Sequence, residues 1–436
     1  MSPLLAGAVG IIGFFVLLAL GMPIAYAMGL VGFVGFSYLS SVDAALRIVA
    51  QDLYNSFASY SLSVIPMFVW MGFLAFYSGI GSRLYNLAYK VVGHLPGGLA
   101  VATQATCALF GAVCGSNTAT AATIGAIALP EMKKYDYDDS LSTASVAAGG
   151  ALGVLIPPSV IFIVYGIATE QSIGKLFIAG IIPGILLMLF YMGTIYVLTV
   201  RNPALGPPGP RAKWGERFRA LGGGLWEVAV LFFLSLGGLF LGWFTPTEAG
   251  AIGAGGVLVL TLLEGRLNWE ALKRSLADTT RTTAMIMFLV AGAVIFGRFM
   301  AVSRIPFALA NWAGSLPFPP YIVIAIVLVI YLLLGCFIDA LALILLTIPI
   351  FYPVAVTTLG YDPIWFGVIV VMVVAMGVIT PPVGMNVFII KGIAKEIPLE
   401  TIFKGIWPFL IALVLCLAVL IAFPSITTFL GNYVSY

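Results

Sequence analysis

The chain has 436 residues, of which 61% are apolar and only 8% charged, with a mean hydropathy of +1.12. About a quarter of a soluble domain's residues are charged, so this composition excludes an ordinary soluble protein and indicates an all-α polytopic membrane protein. The net charge of +3 is too small to point to nucleic acid as a partner, and a large embedded surface makes membrane lipid one.

A helical span needs ~20 mostly apolar residues, and roughly ten to twelve segments qualify. Leu4–Leu20 and Ile24–Leu39 come first, joined by Gly21-Met22-Pro23. The first lacks a basic n-region and runs into the second, so it reads as a span and not as a cleaved secretion signal. Val64–Ser78, Gly98–Val113, Ser142–Ala168 and Phe177–Val200 follow, then Trp226–Trp243 and Glu248–Leu263. Ala284–Ala301, Tyr321–Gly335, Ile364–Lys391 and Pro408–Phe423 complete the set. Ser82–Leu95 and Ile305–Leu316 have apolar residues at helical spacing and few charges, and read as interfacial helices. Asn268–Thr283 reads as a separate amphipathic segment before the span at 284.

The loop Arg201–Leu221 carries Arg201, Arg211, Lys213, Arg217 and Arg219 against Glu216 alone, which makes it cytoplasmic by the positive-inside rule. Glu227, Glu248, Lys175 and Lys391 sit near span ends, where snorkelling is the default. Cys107, Cys114, Cys336 and Cys416 lie in apolar runs without ligand spacing and read as packing residues. His94 is the one histidine and there is no G-x-x-x-x-G-K-[ST], so neither a histidine-based hydrolase nor a P-loop hydrolase is expected. The chain is not expected to be an enzyme; energy must come from an ion gradient or another subunit.

The chain repeats itself. Leu152-Gly153-Val154-Leu155-Ile156-Pro157-Pro158 is answered by Met376-Gly377-Val378-Ile379-Thr380-Pro381-Pro382, and Gly115…Pro130 by Gly335…Pro349. Gly93…Pro96 matches Gly314…Pro317, and Met67-Phe68 matches Met287-Phe288, at spacings that stay between 219 and 224 residues. The organisation this implies is N-terminal spans over 1–56, repeat one over 57–180, linking spans with the basic loop over 181–283, repeat two over 284–392 and a C-terminal span over 393–436. Paired, proline-interrupted segments in corresponding halves mark the central binding site of a transporter.

Four constellations could carry chemistry. Cys114-Gly115-Ser116-Asn117-Thr118-Ala119-Thr120 lies in a stretch of re-entrant length, whose tip near Gly115–Asn117 would offer neutral oxygens to a hard cation. Hydroxyl and amide bonding between packed helices is the alternative. Its mate, Gly335-Cys336-Phe337-Ile338-Asp339, holds a carboxylate that costs ~2.5–3.5 kcal/mol deep in a bilayer and so pairs or lines a pathway. Asp339 is either an ion ligand or latch, or a structural salt bridge with Arg298 or Arg304. The breaks Ile156-Pro157-Pro158-Ser159 and Thr380-Pro381-Pro382-Val383-Gly384-Met385-Asn386 each remove backbone donors and free carbonyls for about a turn. Arg298 could meet an anionic substrate with its fork of donors or anchor at the interface.

Gly115-Ser116-Asn117-Thr118-Ala119-Thr120-Ala121-Ala122, Ile156-Pro157-Pro158-Ser159, Thr245-Pro246-Thr247-Glu248-Ala249 and Thr380 to Asn386 together resemble the large membrane subunit of TRAP (tripartite ATP-independent periplasmic) transporters, over nearly the whole chain. The resemblance implies a multi-pass protein of the bacterial inner membrane that takes up an organic acid with sodium, by an elevator motion. It implies two repeats of inverted topology, each with a re-entrant hairpin and a Pro-Pro-broken helix. A small four-helix membrane subunit and a periplasmic solute-binding protein are the implied partners. Ser116-Asn117 stands where many members carry two serines, and resembles the Ser-Asn-Thr tips of sodium–dicarboxylate symporters. On this reading one sodium site uses Gly115, Ser116, Asn117 and carbonyls from Gly153 to Ile156. The other uses Gly335, Thr380 and carbonyls up to Gly384, with Asp339 close by. The organic acid would sit among Ser116, Ser159, Asp339 and Asn386, with Arg298 as a further candidate. A stand-alone sodium–dicarboxylate symporter and a channel-like pore are the alternatives.

Overall fold

The computed structural model describes residues 1–433 and contains helices but no strands among them. The first helices are α1 (Pro3–Ala19), α2 (Ile24–Leu39), α3 (Val42–Phe57), α4 (Val64–Tyr77) and α5 (Ile80–Val92). The chain continues with α6 (Gly98–Cys114), α7 (Asn117–Lys134), α8 (Asp139–Leu155), α9 (Val160–Thr169) and α10 (Ile173–Arg201). The middle of the chain forms α11 (Trp214–Leu221), α12 (Leu225–Phe232), α13 (Gly238–Phe240), α14 (Pro246–Leu263) and α15 (Trp269–Ser303). The rest forms α16 (Ile305–Ser315), α17 (Pro320–Gly335), α18 (Ala340–Tyr352), α19 (Pro363–Gly377), α20 (Met385–Ile393), α21 (Leu399–Ala422) and α22 (Ser425–Thr428).

Among the described residues seven helices are long and apolar enough to cross a bilayer, or eight if the bent pair Val42–Phe57 and Ser61–Tyr77 is one span. Five shorter apolar helices, among them α6, α17 and α19, account for the higher number read from the sequence. Of these, α6 and α17 are arms of hairpins and α19 is half of a broken helix, and hydropathy cannot tell these from full spans. The segments expected to lie at the interface are helical, as α5 and α16. The amphipathic segment 268–283 is not separate from the following span. Both belong to the 35-residue α15, which has no glycine or proline at the junction to break it.

Local chemistry sets the helix starts. Asp138 caps α8 by accepting from the Ser140 and Leu141 N–H groups. Its mate Asp362 caps α19, accepting from Ile364 at 2.9 Å and Trp365 at 2.8 Å. Thr245 and Glu248 form a reciprocal capping box on α14, with Pro246 at its first position, so that Thr-Pro-Thr-Glu string is explained as a helix start. Glu248 is thereby accounted for.

Close packing relies on small residues, as expected where lipid tails compete equally with apolar side chains. A Cβ on Gly32 would lie 2.8 Å from the Ile295 backbone, which brings α2 tight against α15. The four cysteines are free and buried. Glu227 does not snorkel: it is buried and bonded to Arg83 of α5 and, at 3.1 Å, to Arg266. Lys391 donates to the carbonyls of Lys395 and Ile397, both at 2.7 Å, and closes the turn after α20.

Candidate functional site

Both expected hairpins are present. Helix α6 ends at Gly115, whose φ of +64° turns the chain in a conformation that suits glycine. Ser116 then caps α7 by accepting from the Ala119 N–H at 3.4 Å. In the second hairpin Asp339 takes the same part, capping α18 by accepting from the Leu341 N–H at 3.0 Å. Ser116 and Asp339 are therefore repeat mates.

The breaks lie where the prolines put them. Helix α8 stops at Leu155 and α9 starts after Ser159, which is fully buried and accepts from the Phe162 N–H. Pro157 and Pro158 cannot donate to Gly153 and Val154, whose carbonyls lose their helical partners. Helix α19 stops at Gly377, and the Asn386 N–H reaches back to the Val378 carbonyl at 3.0 Å. Thr380 donates to the Met376 carbonyl at 2.7 Å, and Gly384 adopts φ +58° before α20. The Pro157–Pro158 and Pro381–Pro382 bonds are both cis.

Each hairpin meets its broken helix through a pair of glycines. A Cβ on Gly111 would lie 2.8 Å from Gly153 Cα, and one on Gly377 would lie 2.6 Å from the Gly335 carbonyl carbon. The contact partner of Gly335 thus corresponds to Gly153, and the residue matching Gly335 itself is Gly111. The alignment of Gly115 with Gly335 read from the sequence is displaced by one helical turn. Across the repeats, α7 packs on α20 and α18 packs on α9. Asn386 fixes this crossing by donating to the Ala147 carbonyl of α8 at 3.1 Å.

Both tips face one cavity of about 410 Å³. Gly115, Ser116, Asn117 and Thr118 line it from the first hairpin and Asp339 from the second. The opposite wall is formed by Val69, Gly72 and Phe73 of α4 with Thr282, Met285 and Ile286 of α15. Asp339 is the one charged residue in the lining. Of the other expected site residues, Gly153, Ile156, Ser159, Gly335, Thr380, Gly384 and Asn386 lie behind the tips, outside the lining. At and behind the tips, Asn117 Nδ2, Thr120 Oγ1 and Asn386 Oδ1 are buried with no hydrogen-bond partner among the described residues. Thr120 Oγ1 lies 2.5 Å from where a Gly153 Cβ would stand. Unspent oxygen beside freed carbonyls suits a hard cation.

Arg298 is elsewhere. Its guanidinium forms a two-pronged pair with Asp52 of α3, Nε to Oδ2 at 3.1 Å and Nη2 to Oδ1 at 3.0 Å. It neither lines the cavity nor pairs with Asp339, and Arg304 is the left-handed residue between α15 and α16. The salt-bridge reading of Asp339 therefore fails. Reasoning from sequence did not single out Asp52 or Thr282, and it included Thr118 only within the polar run around Ser116.

The helical fold and a cavity between two hairpin tips define a polytopic membrane transporter. A family model described as "Tripartite ATP-independent periplasmic transporter, DctM component" matches residues 11–426, and the chain belongs to that family. It is 36% identical to the C4-dicarboxylate TRAP transporter large permease protein DctM of Pseudomonas aeruginosa, over 89% of this chain and 90% of that one. It is 35% identical to the ectoine/5-hydroxyectoine large permease protein of Ruegeria pomeroyi, covering 96% of each. It is 32% identical to the sialic acid large permease protein of Vibrio cholerae, over 96% and 97% of the two chains. Among solved structures, the YdaH transporter of Alcanivorax borkumensis shares the fold, with a TM-score of 0.63 and 17% identity over 88% of this chain and 90% of that one.

Proposed function

We propose that this chain is the permease of a tripartite system that takes up an organic acid across the bacterial inner membrane, driven by sodium. The observation that carries the reading is the cavity shared by both tips, in which the one charged lining residue is an acid, Asp339. A substrate carboxylate cannot settle beside a carboxylate in a low-dielectric site without imported positive charge. Sodium held at the freed carbonyls and hydroxyls around Gly115, Ser116, Asn117, Gly153 and Ile156 would supply it. A second ion would be held at Gly335, Thr380 and Gly384. Binding would therefore be ordered, sodium before acid. The substrate would contact Ser116 and Asp339, with Ser159 and Asn386 holding the tips' support in place.

The wall from α4 and α15 belongs to other helices than the hairpins. Movement of the hairpin pair past that wall would carry the cavity across the membrane, which is an elevator. Relatives named for C4-dicarboxylates, sialic acid and ectoine indicate a carboxylate substrate. A small four-helix membrane subunit and a periplasmic solute-binding protein complete the system.

Proteoliposomes test this. Uptake of a C4-dicarboxylate, sialic acid or ectoine should require an inward sodium gradient and both partner proteins. Sodium-driven uptake by the chain alone would overturn the tripartite reading. Flux indifferent to sodium would overturn coupling.

A further inference from the structure

Away from the substrate cavity, a second cavity of about 470 Å³ lies between α6, α10 and α12. Its walls are apolar throughout, with Ala108 and Ala112 on one side, Ile185 and Met188 on another, and Ala229 and Phe232 on the third. It starts at Leu225, the first residue of α12, and follows that helix to Phe232. Seven residue steps cover about 10 Å, most of one leaflet of a ~30 Å hydrocarbon core. At its inner end it touches Ile156, the residue before the first Pro-Pro break.

What stands at the other end is basic. Helix α11 ends at Leu221, four residues before Leu225, and presents Trp214, 72% exposed, and Phe218, 67% exposed, on one face. These side chains, with Leu221, form a largely exposed apolar stripe. Arg201, Arg211, Lys213 and Arg219 are exposed on α11 and in the chain leading to it, against the single Glu216. Arg217 lies 5.3 Å over the Trp214 ring and tethers α11 inward through His94, at 3.5 Å. Glu227, bound to Arg83 and Arg266, pins the start of α12 to the same side. Exposed aromatics beside clustered cations are the signature of a surface in the headgroup layer.

We propose that this crevice is a binding site for one anionic phospholipid of the cytoplasmic leaflet. An acyl chain fills the space between α6, α10 and α12, and the phosphate headgroup is held by Arg211, Lys213 and Arg219. The charge selects the lipid, and the apolar walls take its tail. The occupant touches Ile156 and so bears on the helix break that supports the first hairpin.

The test uses the full chain, delipidated in detergent and followed by thermal unfolding. Phosphatidylglycerol and phosphatidylcholine of identical acyl chains are titrated in mixed micelles. Phosphatidylglycerol should stabilise the wild type and phosphatidylcholine should not match it. Each surface cation contributes roughly fivefold to affinity for an anionic lipid. The triple variant Arg211→Gln, Lys213→Gln, Arg219→Gln should therefore need about a hundredfold more phosphatidylglycerol for the same shift. Ala229→Trp, which fills the crevice, should remove the shift. Equal stabilisation by both lipids, or an unchanged triple variant, overturns the proposal. Loss of copurified phosphatidylglycerol when the small membrane subunit is coexpressed would assign the face to that protein instead.

Discussion

Gly153→Ala places one methyl group where the first hairpin leans on the broken helix. The added Cβ would stand 2.5 Å from Thr120 Oγ1 and 2.7 Å from the Ser116 carbonyl oxygen. The threonine hydroxyl can turn away, but the carbonyl is backbone at the hairpin tip. It must retreat by several tenths of an ångström to reach ordinary contact. Overpacking of this kind costs about 1–3 kcal/mol, partly offset by the ~1 kcal/mol that alanine gains over glycine in a helix. The protein should therefore fold with little change in Tm. The tip that presents Ser116 and Asn117 should be displaced, and the remaining cost, up to about 2 kcal/mol, should appear as up to roughly 30-fold weaker sodium binding. The assay is the sodium concentration for half-maximal uptake in proteoliposomes. Gly193→Ala in α10 is the control, because a Cβ there meets nothing within 4 Å. If Gly153→Ala matches wild type in its sodium dependence, the contact between hairpin and broken helix does not shape an ion site, and that part of the proposal falls.

Asp339→Ala removes the one charged group of the cavity lining and a helix cap worth about 1 kcal/mol. Sodium-dependent uptake should drop to background with folded protein retained; normal uptake by this variant would refute the role. Arg298→Gln strips the partner from Asp52, whose side chain is 5% exposed, but Arg298 itself is 57% exposed, so the loss should be about 1–3 kcal/mol. A lower Tm with an unchanged KM for substrate is expected, and a raised KM at constant Tm would place Arg298 in the substrate path. Glu227→Gln removes the buried negative charge between Arg83 and Arg266, which keep Glu264 at 4.0 and 2.8 Å, and should cost about 1–3 kcal/mol. Thermal unfolding in detergent would show it, and an unshifted Tm would mean that the cluster is exchanging with solvent.

The sequence by itself determined the membrane class, the duplication, the two hairpins and both helix breaks. These are legible because their causes are local: proline removes its own donor, glycine turns its own backbone, and hydropathy is a property of a segment. The polar runs at Ser116 and Asp339 announced the tips for the same reason. It could not set the hairpin register, because a one-turn slip leaves hydropathy unchanged; only the Gly111–Gly153 and Gly335–Gly377 contacts fix it. Which charges meet was also out of reach. Arg298 is 246 positions from Asp52, and Glu227 lies between guanidinium groups from α5 and from the segment after α14. Partnership of that kind is decided by which helices pack side by side. The cavity was likewise decided by tertiary structure, since the wall from α4 and α15, Val69 to Phe73 and Thr282 to Ile286, is mostly apolar helix with no local mark of a binding surface.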